Sequence, residues 1–270
     1  MRRNIVHLED GVVCKRFFDQ RGLCSEIGIR KTLAGPWVEK FAPKLLDAAL
    51  GEQNTATFEF IPGAALTGET ITPTIAYQLG AHLGLLHRHH RGQWAGCGRL
   101  GREGTLEAPC RTYPIFIQDK LNTWLSRGGV RLERNRDKVL ATLKRLGEHE
   151  ILFQLGLRST FVTCHGDIQW ANIVAGPDEI RAFIDWEYAG AYPVEWELRK
   201  ISPLLFWHDK QLGLEFAKGY AVSGVTLDLV PDIVNLTIAL DAIGSLSRCD
   251  QHREDSMVIE TLLADAVARF

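Results

Sequence analysis

The spacing of hydrophobic residues divides the chain near residue 62 into two differently patterned regions. Upstream, the β-branched and aromatic runs NIVHL, VVCKRFF and TATFEFI predict three short strands, and the turn residues EDG join the first two as a hairpin. Between the second and third runs, SEIGIRKTL predicts a helix with Ser25 as its N-cap. This order predicts a small sheet that carries one helix.

Beyond the loop IPGAALTGE the pattern becomes mostly helical. Thr72 and Pro73 have the residue types of an N-cap and a first helical position, and apolar residues recur from Ile75 to Leu86 at helical spacing. Further helices are predicted over residues 114–126, 134–155, 194–208, 209–222, 229–247 and 254–269. The chain therefore predicts an α+β protein in which a β-rich start precedes a larger helical part.

Three short strands are predicted to interrupt the helices, at FVTCH, NIVAG and IRAFID, with the turn residues GPDE between the last two. If these two strands pair as a hairpin, Asn172 at the start of one and Asp185 at the end of the other lie at the same end of the ribbon. Asp167 precedes Asn172 by five residues, in a loop where Gly166 lets the chain curve back over that point. Two carboxylates and an amide oxygen are thus expected to converge.

Such oxygen ligands suit Mg²⁺, which commonly binds one or two protein carboxylates together with substrate phosphates. Phosphoryl transfer uses a site of this kind, because its transition state needs charge neutralisation and an aligned nucleophile. In this hypothesis Asp167 accepts the proton of an attacking hydroxyl, while Asn172 and Asp185 hold the metal. Two alternative interpretations of these three residues stay open. In one they are turn residues held by local hydrogen bonds, and in the other they belong to a metal-dependent hydrolase.

Composition narrows the class of protein further. The chain has 270 residues, of which 46% are hydrophobic and 24% charged, and its net charge is −2, so neither disorder nor a nucleic-acid partner is indicated. The six cysteines form no C-x-x-C pair, and no apolar run approaches the roughly eighteen residues of a membrane span. We expect a cytoplasmic protein with no membrane partner, and nothing in the sequence specifies an oligomeric state.

The motifs HGDIQWAN and FIDWEYAG resemble the paired signatures of the aminoglycoside phosphotransferase and choline kinase superfamily, small-molecule kinases related to protein kinases. The resemblance implies a bilobal protein-kinase-like fold, with a short β-rich N-lobe that carries one helix and a larger, mainly helical C-lobe. The N-lobe would span residues 1–62 and end in the hinge, and the C-lobe, with the catalytic loop and substrate pocket, residues 63–270. The implied cofactors are ATP, or alternatively GTP, and Mg²⁺.

The same resemblance implies roles for individual residues of the catalytic motifs. Asp167 would be the catalytic base or the carboxylate that orients the hydroxyl, and Asn172 and Asp185 would be the magnesium ligands. His165 would brace the loop. Glu197 takes the place of the aspartate that anchors the next helix in the family, and its carboxylate is one methylene longer.

In the N-lobe, the resemblance implies that Lys15 faces the ATP phosphates and that Glu26, on the following helix, pairs with it. The run FEFIPGAAL resembles the family's hinge, where backbone groups near Glu59 and Ile61 would bond the adenine and Phe60 would support it, together with Phe58. One departure is clear. The family's glycine-rich phosphate loop is missing, since a single glycine precedes Lys15.

The acceptor is predicted as a small-molecule hydroxyl, foremost that of an antibiotic or aminosugar, which links the protein to antibiotic resistance. A cationic acceptor would find candidate partners in aromatic residues such as Trp170 and in acidic residues of the last helices, among them Asp241 and Glu260. Glu187 has two open roles, as a contact to a second metal or as a brace. Two alternatives remain, a choline-, ethanolamine- or thiamine-type kinase and a catalytically silent nucleotide-binding protein.

Overall fold

A four-stranded antiparallel sheet forms the N-terminal region in the computed structural model, which describes residues 4–33, 41–158, 160–248 and 255–270. The strands are β1 (Ile5–Glu9), β2 (Val12–Arg16), β3 (Leu45–Ala49) and β4 (Thr55–Glu59), in the order β1-β2-β4-β3. The predicted hairpin is present, and Asp10 and Gly11 both have positive φ in its two-residue turn. Strand β3 was not predicted, because its sequence LLDAA lacks the β-branched and aromatic residues of the other strands.

Helix α1 (Gln20–Thr32) lies between β2 and β3, but it begins earlier than predicted. Its N-cap is Asp19, whose side chain accepts a hydrogen bond from the Arg21 N–H. Ser25 is therefore not the cap. It lies inside the helix, and its hydroxyl donates to the Leu100 carbonyl at 2.8 Å, which ties α1 to the C-terminal part of the chain.

The C-terminal part is mainly helical. Its helices are α2 (Pro73–Arg88), α3 (Tyr113–Arg127), α4 (Val130–Arg134), α5 (Arg136–Leu146), α6 (His149–Leu157), α7 (Val194–Leu198), α8 (Lys210–Val222), α9 (Pro231–Leu246) and α10 (Asp255–Val267). The predicted helix over 134–155 is divided at Gly147 into α5 and α6. The predicted helix over 194–208 ends at Leu198 and is followed by a π-helical turn that starts at Pro203, where proline removes a backbone donor.

The core of this part is built on the close packing of α2 against α8. A Cβ added at Gly80 would lie 2.0 Å from the Phe216 carbonyl oxygen, and one at Gly219 would lie 1.9 Å from that of Tyr77. Glycine at these two positions lets the helix backbones approach each other. Among the described residues, no helix combines the length and hydropathy needed to cross a bilayer.

Six short strands form two small sheets beside the helices. They are β5 (Ala64–Ala65), β6 (Gly98–Arg99), β7 (Val162–Cys164), β8 (Ile173–Ala175), β9 (Ile180–Phe183) and β10 (Gly190–Tyr192), in the orders β6-β10-β7 and β5-β8-β9. Strands β7, β8 and β9 confirm the three predicted in the central motif. The mixed fold, β-rich at its start and helical beyond, is as predicted.

Candidate active site

Asp167, Asn172 and Asp185 lie together, because β8 and β9 pair as an antiparallel hairpin. Ile173 is opposite Phe183 in the register, and the Ile184 N–H donates to the Asn172 carbonyl at 2.9 Å. The Asn172 amide nitrogen donates to the Asp167 carbonyl at 2.9 Å and to its Oδ2 at 3.3 Å. The spacing of the two motifs thus produces the convergence that it predicts.

Asp185 turns the chain out of β9 in a left-handed conformation, with φ of 68° and ψ of 56°. Few residues other than glycine adopt this conformation, and those that do are concentrated at functional sites. The backbone then forms a 3₁₀ turn over Trp186–Tyr188, and the Trp186 N–H donates to Glu26 Oε1 of α1 at 3.0 Å. This bond joins the N-terminal helix to the segment that carries Asp185.

Lys15 of β2 lies among three carboxylates. Its ammonium binds Asp185 Oδ1 and lies 3.4 Å from Glu26 Oε1 and 3.9 Å from Glu187 Oε2. We call Lys15, Glu26, Asp185 and Glu187 the carboxylate cluster. Arg30 binds the other oxygen of Glu26 at 3.0 Å, so the surroundings contain two cations and three carboxylates. The structure therefore places Lys15 and Glu26 at the same site as Asp185.

Burial and charge oppose each other in this cluster. Burial lowers the pKa of Lys15, but Glu26, Asp185 and Glu187 outweigh it, and the pKa is raised overall. Burial raises the pKa of Glu26, but Lys15 and Arg30 reverse this, so it is lowered. Lys15 and Glu26 are thus held in their charged forms.

Glu187 differs from its neighbours, since its pKa is raised by burial and by the nearby charge of Asp185. Its Oε2 accepts a hydrogen bond from the Asn4 amide nitrogen at 2.5 Å. Glu187 thus connects the start of the chain to the cluster. Both of its predicted roles, metal contact and brace, are open to it in this position.

The donor set fits a hard divalent cation. The Asn172 amide nitrogen is used by Asp167, which leaves the Asn172 Oδ1 oxygen available as a ligand. The Asp185 carboxylate is about a third exposed, and its Oδ1 binds the Lys15 ammonium. An amide oxygen and a carboxylate next to a surplus of negative charge suit Mg²⁺.

The loop that carries Asp167 is held from behind by His165 and Glu197. His165 Nε2 bonds the Ile184 carbonyl at 2.9 Å, and Nδ1 accepts the Asp167 N–H at 3.3 Å, so the proton resides on Nε2. Burial lowers the pKa of His165, which keeps the ring neutral. Glu197 of α7 accepts the N–H groups of His165 and Gly166, one on each oxygen and both at 2.7 Å. Glutamate thus reaches the loop from this position.

Three charged residues make contacts at this loop that the sequence did not predict. Lys200 binds Asp167 Oδ1. Arg199 is buried, donates to the Gly166 carbonyl at 3.1 Å and lies 3.9 Å from Asp167 Oδ1. Asp241 of α9, predicted to bind an amine, instead accepts from Arg199 Nε at 2.8 Å. A signal for the two cations existed, since both directly follow Glu197-Leu198 in the sequence.

The predicted hinge follows β4. The Glu59 N–H donates to the Lys44 carbonyl at 3.0 Å, so Glu59 offers its own carbonyl rather than its N–H to a ligand. Phe58 is buried in a small core with Phe17 and Leu23, whereas Phe60 is 46% exposed. Ile61 is partly exposed just beyond the sheet. Of the two rings, Phe60 is therefore the one accessible to a bound molecule.

Trp170 lies in the 3₁₀ turn between Asp167 and β8, where it packs partly buried against the main core. Its position is close to the catalytic motif in sequence, yet its ring contributes to packing. Of the other aromatic residues near the motif, Trp186 and Trp196 are buried. Core packing thus accounts for these rings.

Comparison with known proteins gives a family and a fold. The model of the "Phosphotransferase enzyme family" matches residues 31–226, well over half of the chain. A thermostable mutant of aminoglycoside phosphotransferase APH(4)-Ia, in a ternary complex with AMP-PNP and hygromycin B, has a TM-score of 0.68 at 16% identity, covering 99% of this chain and 94% of that one. No curated protein matches the sequence.

Two further solved structures share the fold. A choline/ethanolamine kinase family protein from Mesorhizobium loti has a TM-score of 0.60 at 15% identity, covering 99% of this chain and 85% of that one. Spectinomycin phosphotransferase APH(9)-Ia, in complex with ADP and spectinomycin, has a TM-score of 0.59 at 15% identity, covering 100% and 89%. The similarity to the superfamily suggested by the paired motifs is confirmed. The chain belongs to the phosphotransferase enzyme family.

Proposed function

We propose that the protein is an ATP- and Mg²⁺-dependent kinase that transfers the γ-phosphoryl group to a hydroxyl of a small molecule. The observation that carries the proposal is the convergence of Asp167, Asn172 and Asp185 at one point, with the Lys15 and Glu26 pair joined to them. Residues 1–62 would form the nucleotide-binding lobe, and residues 63–270 would supply the catalytic loop and the acceptor pocket.

On the nucleotide side, Lys15 would bind the phosphates, with Glu26 holding its ammonium in place. The adenine would lie against Phe60, bonded by backbone groups of Glu59 and Ile61. Asn172 and Asp185 would hold magnesium, which when bound neutralises charge on the phosphates. The hairpin of β1 and β2 would provide the cover that a glycine-rich loop provides elsewhere in the superfamily.

On the acceptor side, the Asp167 carboxylate would orient the hydroxyl and accept its proton. The acceptor oxygen forms a bond to the γ-phosphorus while the bond from this phosphorus to the β–γ bridging oxygen breaks, and ADP leaves with that electron pair. The Asn172 amide fixes the direction of the Asp167 carboxylate through a bond to Oδ2, and Lys200 binds Oδ1. Glu197 and His165 keep the loop in shape.

An antibiotic or aminosugar acceptor is the predicted substrate class, and the structural neighbours bound to hygromycin B and spectinomycin support it. The second candidate, a metabolic kinase of choline type, is supported by the neighbour from the choline/ethanolamine kinase family. The intact set of Asp167, Asn172 and Asp185 argues against a catalytically silent nucleotide-binding protein.

The proposal is tested by Mg²⁺-dependent ADP formation with aminoglycosides, peptide antibiotics, aminosugars, choline and thiamine as acceptors. We expect Asp167→Ala to lower kcat with an active acceptor by about 10²- to 10⁴-fold, because the proton acceptor is removed. Asp178→Ala, in the exposed turn between β8 and β9, is the matched control and should leave the rate unchanged. Full activity of Asp167→Ala would refute the role of this carboxylate, and failure to bind ATP would refute the proposal as a whole.

A further inference from the structure

A second group of metal-ligating side chains lies outside the active site, on the hairpin of β1 and β2. The ligand atoms of His7, Glu9 and Cys14 all lie within 4.8 Å of one another. His7 Nε2 is 3.6 Å from Glu9 Oε2, and Cys14 is the direct partner of His7 across the two strands. An imidazole, a carboxylate and a thiol therefore converge on one small area of the sheet.

The register of the hairpin explains this convergence. Residues two apart on a strand share one face of the sheet, and so do residues directly opposite each other on antiparallel strands. His7 and Glu9 are two apart on β1, and Cys14 is opposite His7 on β2. Lys15 follows Cys14 on β2 and points to the other face, where it joins the carboxylate cluster. The three ligands thus lie on the face of the sheet that is turned away from this cluster.

The ligand types favour zinc over magnesium. Zn²⁺ binds thiolate, imidazole and carboxylate, whereas Mg²⁺ takes oxygen ligands. A Cys14 thiolate and the Glu9 carboxylate balance the two charges of the ion, and a neutral His7 ring supplies the third ligand. Zinc sites with three protein ligands keep the fourth tetrahedral position for water. The His7 and Glu9 side chains are 58% and 67% exposed, and Cys14 is half-buried, so an ion can reach them from solvent.

Strand β1 is the element that such an ion would hold in place. It is an edge strand and is exposed at all five residues, so burial contributes little to keeping it on the sheet. Just before the strand, Asn4 bonds Glu187 and accepts the Phe18 N–H at 2.9 Å. A metal bound by both strands would add a link nearer the turn of the hairpin.

We propose that His7, Glu9 and Cys14 form a Zn²⁺ site that clamps β1 to β2. On binding, the Cys14 thiol loses its proton to solvent and the sulfur shares an electron pair with the metal, so nothing is oxidised or reduced. The site uses neither nucleotide nor acceptor and is therefore independent of the proposed kinase function. Sequence spacing did not indicate it, because its ligands come from facing strands and not from a zinc motif.

Co²⁺ binding tests the ligand set, since a cobalt–thiolate bond produces a charge-transfer absorption band in the near ultraviolet. Co²⁺ is titrated into the full chain with excess Mg²⁺, which occupies sites made only of oxygen ligands. We expect one Co²⁺ per chain with the thiolate band, and displacement of the Co²⁺ by Zn²⁺. Cys14→Ser should abolish the band, and His7→Gln should weaken binding by at least about tenfold.

The matched control is Cys24→Ser, which removes a partly exposed thiol of α1 and should change neither the band nor the affinity. A wild-type protein without the thiolate band would overturn the inference. So would a band that persists in Cys14→Ser, because another cysteine would then be the ligand.

Hydrogen exchange over residues 4–16 tests whether the ion joins both strands. Zn²⁺ at about one hundred times its Kd should slow exchange of the β1 amides by up to about 100-fold, because the opened hairpin lacks the site. Exchange in Cys14→Ser should not respond to Zn²⁺. Zn²⁺ that binds wild type and leaves exchange of β1 unchanged would contradict the clamp.

Discussion

Two neighbouring parts of one site have opposite charges at their centres. In the carboxylate cluster, three carboxylates surround the Lys15 ammonium, with Arg30 on the far oxygen of Glu26. At Asp167, in contrast, two cations approach one carboxylate, since Lys200 binds its Oδ1 and Arg199 lies 3.9 Å from the same oxygen. The loop between β7 and β8 and the turn after β9 hold these opposite surroundings side by side.

The difference indicates what each part is built to bind. An excess of carboxylates attracts a divalent cation, whereas Lys200 and Arg199 fix the position of the Asp167 carboxylate. A kinase needs both, since a metal-bound nucleotide must meet an acceptor hydroxyl at Asp167. The charge pattern therefore gives the two proposed substrates separate places, and each prediction below alters one of them.

The largest effect is expected from Lys15→Met, which removes the cation at the centre of the carboxylate cluster. Without the ammonium, Glu26, Asp185 and Glu187 repel one another and the nucleotide phosphates lose a partner. We expect kcat/KM for ATP to fall by about 10²- to 10³-fold. Steady-state kinetics measure this, with Lys31→Met on the exposed end of α1 as the control. An unchanged kcat/KM would show that Lys15 has only a structural role.

A smaller effect is expected from Glu197→Gln behind the loop. Glutamine has one acceptor oxygen, so either the His165 or the Gly166 N–H would face a donor instead of a carboxylate oxygen. Loss of one such bond should destabilise the fold by about 1–3 kcal/mol, measured by urea unfolding at neutral pH. Glu197→Asp, which keeps both oxygens on a shorter arm, should retain more activity than the glutamine variant.

The pH dependence of that destabilisation follows from the pKa of Glu197. Burial raises this pKa to about 7 from an ordinary 4.5, although the two N–H donors lower it. The folded state therefore binds the proton more tightly than the unfolded state, and stability from this group is lost as pH rises from 4.5 through 7. Between pH 4.5 and 7 the unfolding free energy of wild type should therefore fall relative to that of Glu197→Gln, in which this position does not titrate. A rise of wild type relative to the variant with pH would mean that the donors outweigh burial.

Much of the catalytic motif was predictable, because its geometry is local. Asn172 and Asp185 bracket one hairpin, so strand pairing alone brings them together, and Asp167 is only five residues from Asn172. The strand and helix pattern likewise predicted the mixed fold. Errors occurred where a stronger nearby signal competed, as when Asp19 capped α1 in place of Ser25.

The contacts of the cations beside Asp167 were not predictable in the same way. Arg199 pairs with Asp241 on α9, 42 residues away in sequence, and neither residue belongs to a pattern. Asp241 appeared to be free for an amine until the fold placed it against Arg199. Partners across long sequence separations depend on helix packing, which periodicity does not specify.

The central claim, that the carboxylate cluster with Asn172 binds a metal–nucleotide complex, is tested most directly by AMP-PNP affinity with and without Mg²⁺. For wild type, calorimetry should show binding at least about tenfold tighter with Mg²⁺, and Asp185→Asn should abolish that gain while Asp178→Asn keeps it. AMP-PNP binding that is absent, or that is equally tight without Mg²⁺ in wild type, would contradict the account.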